Sequence, residues 1–242
     1  TRHNRFRPMD AENIKNIIQK TLDAATVEAA SEEMEEIISN PETTEIFFRL
    51  YQATADPRIR HAAIIYCYKV VAKNWNNYSE ENHYQIKQLI FEILQNQIFP
   101  QDIECVAQLV EKVYNEGSGK WPELLLFLFA EAEANKVLVS SIFVKISQSL
   151  HSGFFEECFE QLNALVNAYI RDENPIVKVA GVALLTGMIS QIEDDAEEET
   201  EPIPDLVTDA PETYAIINAM QEQSLHYEQT NFAKSWFYLG NI

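Results

Sequence analysis

Apolar residues recur at helical spacing along most of the chain, and the breaks between them fall mainly at Asn-Pro, Asp-Pro, Phe-Pro and Trp-Pro steps. The clearest case is Asp56 to Trp75, DPRIRHAAIIYCYKVVAKNW, where Ile59, Ala62, Ala63, Tyr66 and Val70 form one apolar face. Asp56 suits the cap position and Pro57 the first turn, so a helix is expected to start there. The paired alanines leave room for another helix to approach. The same frame returns at Asn174 (NPIVKVAGVALLTGMIS), with Val177, Ala180, Gly181 and Leu184 in register. It occurs again between Gln101 and Tyr114, with Ile103, Val106, Ala107 and Val110 inward.

The intervening segments read as partners of these helices. Asp10 to Leu22 carries Ile14, Ile17, Ile18 and Leu22 on one face. Val27 to Ile38 turns Val27, Ala30, Met34 and Ile38 inward and Glu28, Glu32, Glu33, Glu35 and Glu36 outward. Glu42 to Thr54 carries Ile46, Phe47 and Leu50. Ser79 caps a helix reaching about Gln97, but Asn82 stands where a capping box calls for Glu or Gln, so the reciprocal box is not expected. Further helices are predicted at Glu123–Ala134, Val137–Leu150, Phe154–Arg171 and Pro175–Ile192. For Val137–Leu150 two frames compete: Val139, Ile142, Phe143 and Ile146 inward, or a shift of two residues. A last pair is read at Pro211–Leu225 and Glu228–Leu239. Between them, Glu193 to Asp209 (EDDAEEETEPIPDLVTD) is acidic, proline-punctuated and poor in apolar residues, which predicts a disordered or extended insertion.

Strand-like alternation is absent, so the fold expected is all-α. The pattern Asp/Asn-Pro-x-(Ile/Val)-(Arg/Lys)-x-Ala-small resembles the inner helix of a HEAT repeat. Helix pairs at roughly 35–45 residues each fit an α-solenoid of about six HEAT repeats, antiparallel pairs wound into a right-handed superhelix. Residues 1–8 are basic and precede Met9; they read as an extension added to the native chain or disordered, with the array running over residues 9–242 and the acidic insertion at 193–209.

Composition narrows the function. With 242 residues the chain can build a substantial core, and its net charge of −20 disfavours nucleic acid and anionic membranes while favouring basic protein partners. No apolar run reaches the length of a membrane span. Cys67, Cys105 and Cys158 are far apart and each falls in a predicted helix, as core residues of a reducing compartment would. Phosphate-loop, dinucleotide-binding, H-E-x-x-H and C-x-x-C motifs are all missing, and the histidines are scattered. A non-enzymatic chain with no cofactor and no metal is expected.

Several segments in order, DPRIRHAAIIYCYKVVAKNW, SEENHYQIKQLIFEIL, GSGKWPELLLFLF and NPIVKVAGVALLTGMI, together resemble the N-terminal region of the importin-β (karyopherin-β) nuclear transport receptors. Gly-Lys-Trp-Pro-Glu-Leu-Leu at Gly119–Leu125 is the most specific piece. The acidic gap followed by ETYAIINAMQ is most similar to the importin-4 and importin-5 type, which imports ribosomal proteins and histones. There are departures: Ala62 replaces a bulkier residue, and Cys105–Gln108 lacks the Arg-Asn/His-x-Ala sequence. Family members are several times longer, so an N-terminal fragment of such a receptor is expected.

The resemblance implies that the inner helices bind Ran-GTP, that basic proteins are the cargo, and that the protein shuttles between cytoplasm and nucleus through the pore. Nucleoporins would be partners mainly of the full-length receptor; nucleic acid and membrane would not. Carried onto this chain, the candidate Ran-binding surface is the outward stripe of each inner helix: Glu28, Glu32 and Glu35 on the first, His61, Ile65 and Tyr68 (with Ala72) on the second, and Gln108, Glu111 and Lys112 on the third. A glutamate stripe is also what a solvated helix face looks like, and a long helix can bury more than one face. The acidic residues Glu193, Asp194, Asp195, Glu197, Glu198, Glu199 and Glu201 are the candidate attractor for basic cargo, or a solvated loop. The competing reading is a HEAT-repeat scaffold or adaptor subunit without Ran dependence. Trp121 reads as repeat packing rather than as a site.

Overall fold

The computed structural model describes residues 11–117, 119, 121–150 and 158–198. The chain divides into two compact units, Thr1–Ser118 and Gly119–Ile242. All regular structure among the described residues is helical, as an α-solenoid requires.

In the first unit the helices are α1 (Ala11–Thr21), α2 (Val27–Ile38), α3 (Thr44–Ala53), α4 (Pro57–Asn74), α5 (Glu80–Leu94) and α6 (Ile103–Glu116). They form two layers. Helices α1, α3 and α5 stack in one, α2, α4 and α6 in the other, and α1/α2 and α3/α4 pack as pairs between layers. The second unit contains α7 (Pro122–Glu131), α8 (Lys136–Ile146), α9 (Phe159–Ile170) and α10 (Pro175–Glu198). There α9 packs against α10, and α8 against α10. The pair predicted at Pro211–Leu225 and Glu228–Leu239 lies outside the described residues.

Local cap chemistry sets the helix starts. The Asp56 side chain accepts from Arg58 N at 2.9 Å and the Asn174 side chain from Ile176 N at 3.0 Å, each with proline at the first helical position. At α5 the sequence expectation fails in an instructive way. Asn82 N donates to Ser79 Oγ at 3.2 Å, and Asn82 Oδ1 accepts from Ser79 N at 3.2 Å, so the reciprocal box does form. An asparagine carboxamide presents the same acceptor as glutamine, one methylene shorter, and here it reaches.

The cores correct some frames and decide others. Val27 is 40% exposed and Leu22 is exposed as well, although both were read as inward; Ala30, Met34, Ile37 and Ile38 bury α2 instead. For α8 the frame Val139, Ile142, Phe143 and Ile146 is fully buried, which settles the choice. Helix α10 continues past the Ile192 end expected from sequence to Glu198, so the backbone at 193–198 is helical where an extended or disordered insertion was expected. A helix can extend into a polar stretch because its backbone hydrogen bonds are local. Gly119 adopts φ 68°, the left-handed region that glycine enters without a Cβ penalty, in the turn leading to α7. Trp121, just after it, is buried.

Candidate functional site

Helix α4 is the centre of the first unit, packed against α3 from the other layer and flanked by α2 and α6 in its own. That position explains its burial pattern. Ile59, Ala63, Ile64, Cys67, Val70 and Val71 are all buried, which is more than one stripe. His61, Ile65, Tyr68 and Ala72 are left half-buried along the remaining face. Ile65 and Tyr68 therefore rest partly on neighbours while keeping surface to offer. Burial pushes the Cys67 thiol well above its ordinary range, so the group stays a neutral core residue.

The three stripes read from sequence lie on adjacent helices. On α2, Glu28, Glu32 and Glu35 are exposed, and Glu35 Oε2 meets Lys73 Nζ of α4 at 3.0 Å. On α6, Gln108 Nε2 donates to Glu104 Oε1 at 3.1 Å, Lys112 pairs with Glu116, and Glu111 is half-buried. Thus Glu35, Gln108 and Lys112 already have intramolecular partners that a binding protein would have to displace or share. Exposed pairs of this kind contribute little, ~0.2–1 kcal/mol, so exchange is cheap.

A polar cluster that the sequence reading missed ties the inner helices together. The Asp102 carboxylate, at the start of α6, has no exposure; it accepts from Arg60 Nε at 3.2 Å and from His61 Nδ1 at 2.9 Å. The Arg60 guanidinium also lies over the Phe99 ring at 3.5 Å. Asp102 does not cap its own helix; its carboxylate is turned to α4 instead. Nearby, the Tyr51 phenol is pushed well above its ordinary range, first by burial and then by the Asp102 charge. At the other end of α4, buried Asn74 donates through Nδ2 to Ile38 O at 2.7 Å and Val70 O at 2.9 Å, joining α4 to the end of α2. Trp75 stacks on His83 with ring centroids 4.1 Å apart and is buried, so it closes the core rather than reaching outward. The only sequence signal for the Asp102 cluster was an acidic residue just after Phe99-Pro100 and a charged pair just inside α4.

The acidic candidates split. Glu193, Asp194, Asp195, Glu197 and Glu198 lie on the last turns of α10, while Glu199 and Glu201 fall outside the described residues. Among the described residues no group of three or more His, Cys, Asp or Glu is placed to hold a metal ion, and no helix is long and apolar enough to cross a membrane.

Among the described residues this geometry sets the faces of α2, α4 and α6 side by side in one layer of the first unit. Residues 30–96 match the family model described as the importin-beta N-terminal domain. That stretch runs from within α2 to just past α5 and includes the whole of α4. The match supports the resemblance to the importin-β family. A comparison with curated proteins finds no match.

Proposed function

We propose that this chain is part of an importin-β-type nuclear transport receptor and that its inner helices bind the GTP-bound GTPase Ran. The match of residues 30–96 to the importin-beta N-terminal domain carries the reading. The contact surface is the half-buried His61, Ile65 and Tyr68 face of α4, flanked by the Glu28, Glu32 and Glu35 stripe of α2 and by Gln108, Glu111 and Lys112 of α6. Ile65 and Tyr68 supply the apolar anchor and the glutamates steer basic groups of the partner. The chain works by reversible binding without catalysis. Basic cargo such as ribosomal proteins or histones, attracted by the acidic end of α10 and the residues after it, and release coupled to Ran-GTP, complete the cycle; the coupling is reciprocal between the two ligands. Within the family the reading favours the importin-4 and importin-5 type, and it places the protein in both cytoplasm and nucleus.

The test is calorimetry of the purified chain with Ran loaded with GTP or GDP at two salt concentrations. GTP-selective binding that weakens with salt supports the proposal. Equal or absent binding by a folded sample sinks it and leaves a HEAT-type scaffold without Ran dependence.

A further inference from the structure

The second unit carries an apolar groove that the Ran reading does not use. It lies between α7 and α9, encloses ≈ 790 Å³, and is floored by Leu125, Leu165 and Ala132, all buried. Its walls are Phe129, Ala130, Ala164 and Ala168, and Leu126 stands at its edge 70% exposed. Among the described residues, an exposed leucine beside a row of alanines on the next wall is a surface without its own filling.

From this groove we infer a docking site for a basic amphipathic helix of a partner protein. Two observations choose that occupant. The first is charge. Neither α7 nor α9 contains a lysine or arginine, while Glu123, Glu131, Glu133 and Glu160 lie on or beside them. Arg171 directly follows α9, and Lys136, on α8, is engaged by Glu133 at 3.3 Å and Asp172 at 3.1 Å. The charges carried by the two wall helices are thus all acidic and Glu133 lines the groove itself, a frame complementary to an apolar ridge bordered by Lys or Arg. A second copy of this chain, at net charge −20, meets the same frame with like charge.

The second observation is the wall chemistry. Both walls are helices whose backbone groups are already paired internally. An extended peptide crossing so apolar a floor finds few partners for its own N–H and C=O groups and leaves them unsatisfied. A helix satisfies its own. Ala164 and Ala168, one turn apart, allow its backbone to come close. Helix α7 is ~15 Å long by its rise per residue, enough to seat about ten residues of a partner helix.

The experiment uses the full chain and a fluorescent peptide of about 15 residues. The peptide is built from Leu and Lys, with leucines at i, i+3, i+4 and i+7; its control has every Lys replaced by Gln. Anisotropy is expected to give about tenfold tighter binding for the Lys peptide, and Leu126→Gln and Ala164→Lys are each expected to weaken it about tenfold. Circular dichroism must show unchanged helix content; should Ala164→Lys lose it, Leu126→Gln decides alone. Wild-type affinity in folded Leu126→Gln overturns the proposal, because the peptide is then held by net charge elsewhere. Equal binding of the Gln peptide overturns it too, because the acidic frame then plays no part. Sedimentation showing a dimer that Leu126→Gln dissociates overturns it in favour of a second copy.

Discussion

Arg60 Nε and the Asp102 carboxylate meet at 3.2 Å where Asp102 has no solvent exposure, and this contact joins α4 to the start of α6. A buried carboxylate is tolerable only while its partners stay in place. Arg60→Ala is expected to destabilise the chain by about 3 kcal/mol, because it strands most of the charge. His61→Ala removes a half-exposed partner and is expected to cost about 1 kcal/mol. Urea denaturation of both variants checks the order. Equal losses would mean that His61 compensates the Asp102 charge as much as the buried guanidinium does.

Two buried tyrosines make opposite predictions. Among the described residues Tyr114 Oη has no hydrogen-bond partner, whereas Tyr169 Oη donates to Ala132 O at 3.0 Å. Tyr114→Phe removes an unsatisfied hydroxyl and is expected to raise stability by about 1 kcal/mol. Tyr169→Phe deletes a hydrogen bond and is expected to lower it by about the same amount. Thermal and urea unfolding of the pair read the difference in sign.

The same tyrosines set an alkaline limit. Burial pushes both Tyr114 and Tyr169 up to about 12, from an ordinary value of 10.0. The folded-state values lie above those of the unfolded chain, so the unfolded chain releases these protons first. Their contribution is fully present below pH ~10 and is lost as pH rises towards 12. The urea midpoint is therefore expected to fall across that window, and less steeply in Tyr114→Phe. A midpoint that stays flat to pH 12 contradicts the burial.

Gly181 shows what close packing requires. A Cβ built there would stand 2.9 Å from Ile170 N and 3.0 Å from Tyr169 Cβ, so α9 and α10 approach only because no side chain intervenes. Gly181→Ala gains about 1 kcal/mol of helix propensity and loses about 1–3 kcal/mol to overpacking. A net loss of about 1 kcal/mol is expected by denaturation; a stabilised variant would show that α9 can move aside.

The proposed Ran surface can be tested without disturbing the core. Ile65 and Tyr68 are half-buried, whereas Ile64 and Cys67 beside them have no exposure. Ile65→Ala with Tyr68→Ala is expected to weaken Ran-GTP binding at least about tenfold while the helix content stays unchanged. Ile64→Ala, by contrast, is expected to lower stability by about 2–5 kcal/mol. Undiminished binding by the folded double variant removes this face from the site.

Much of the helical plan was legible because its signals are local. Asp56-Pro57 and Asn174-Pro175 mark helix starts through bonds to backbone N–H groups two residues on. The apolar periods of α1, α4 and α6 name most of their cores. Legibility failed where a choice depended on distant residues. Both frames of α8 were apolar enough, and only its packing against α10 selected Val139, Ile142, Phe143 and Ile146. Val27 belongs to the right period yet is the first residue of α2, where it stays 40% exposed.

By itself, then, the sequence determined that the chain is helical, where most helices start, and that α4 belongs to a repeated frame, because caps and periodicity act within a few residues. Tertiary structure alone decided that Asp102 turns from its own helix to Arg60 and His61, that Asn74 binds the carbonyl of Ile38, and that His61, Ile65 and Tyr68 stay half-buried on α4 while Lys69 and Lys73 are exposed. Those outcomes depend on which helices become neighbours. Burying a charge or an amide forces it to find a partner, and the partner comes from whichever element the fold brings within 3 Å or so.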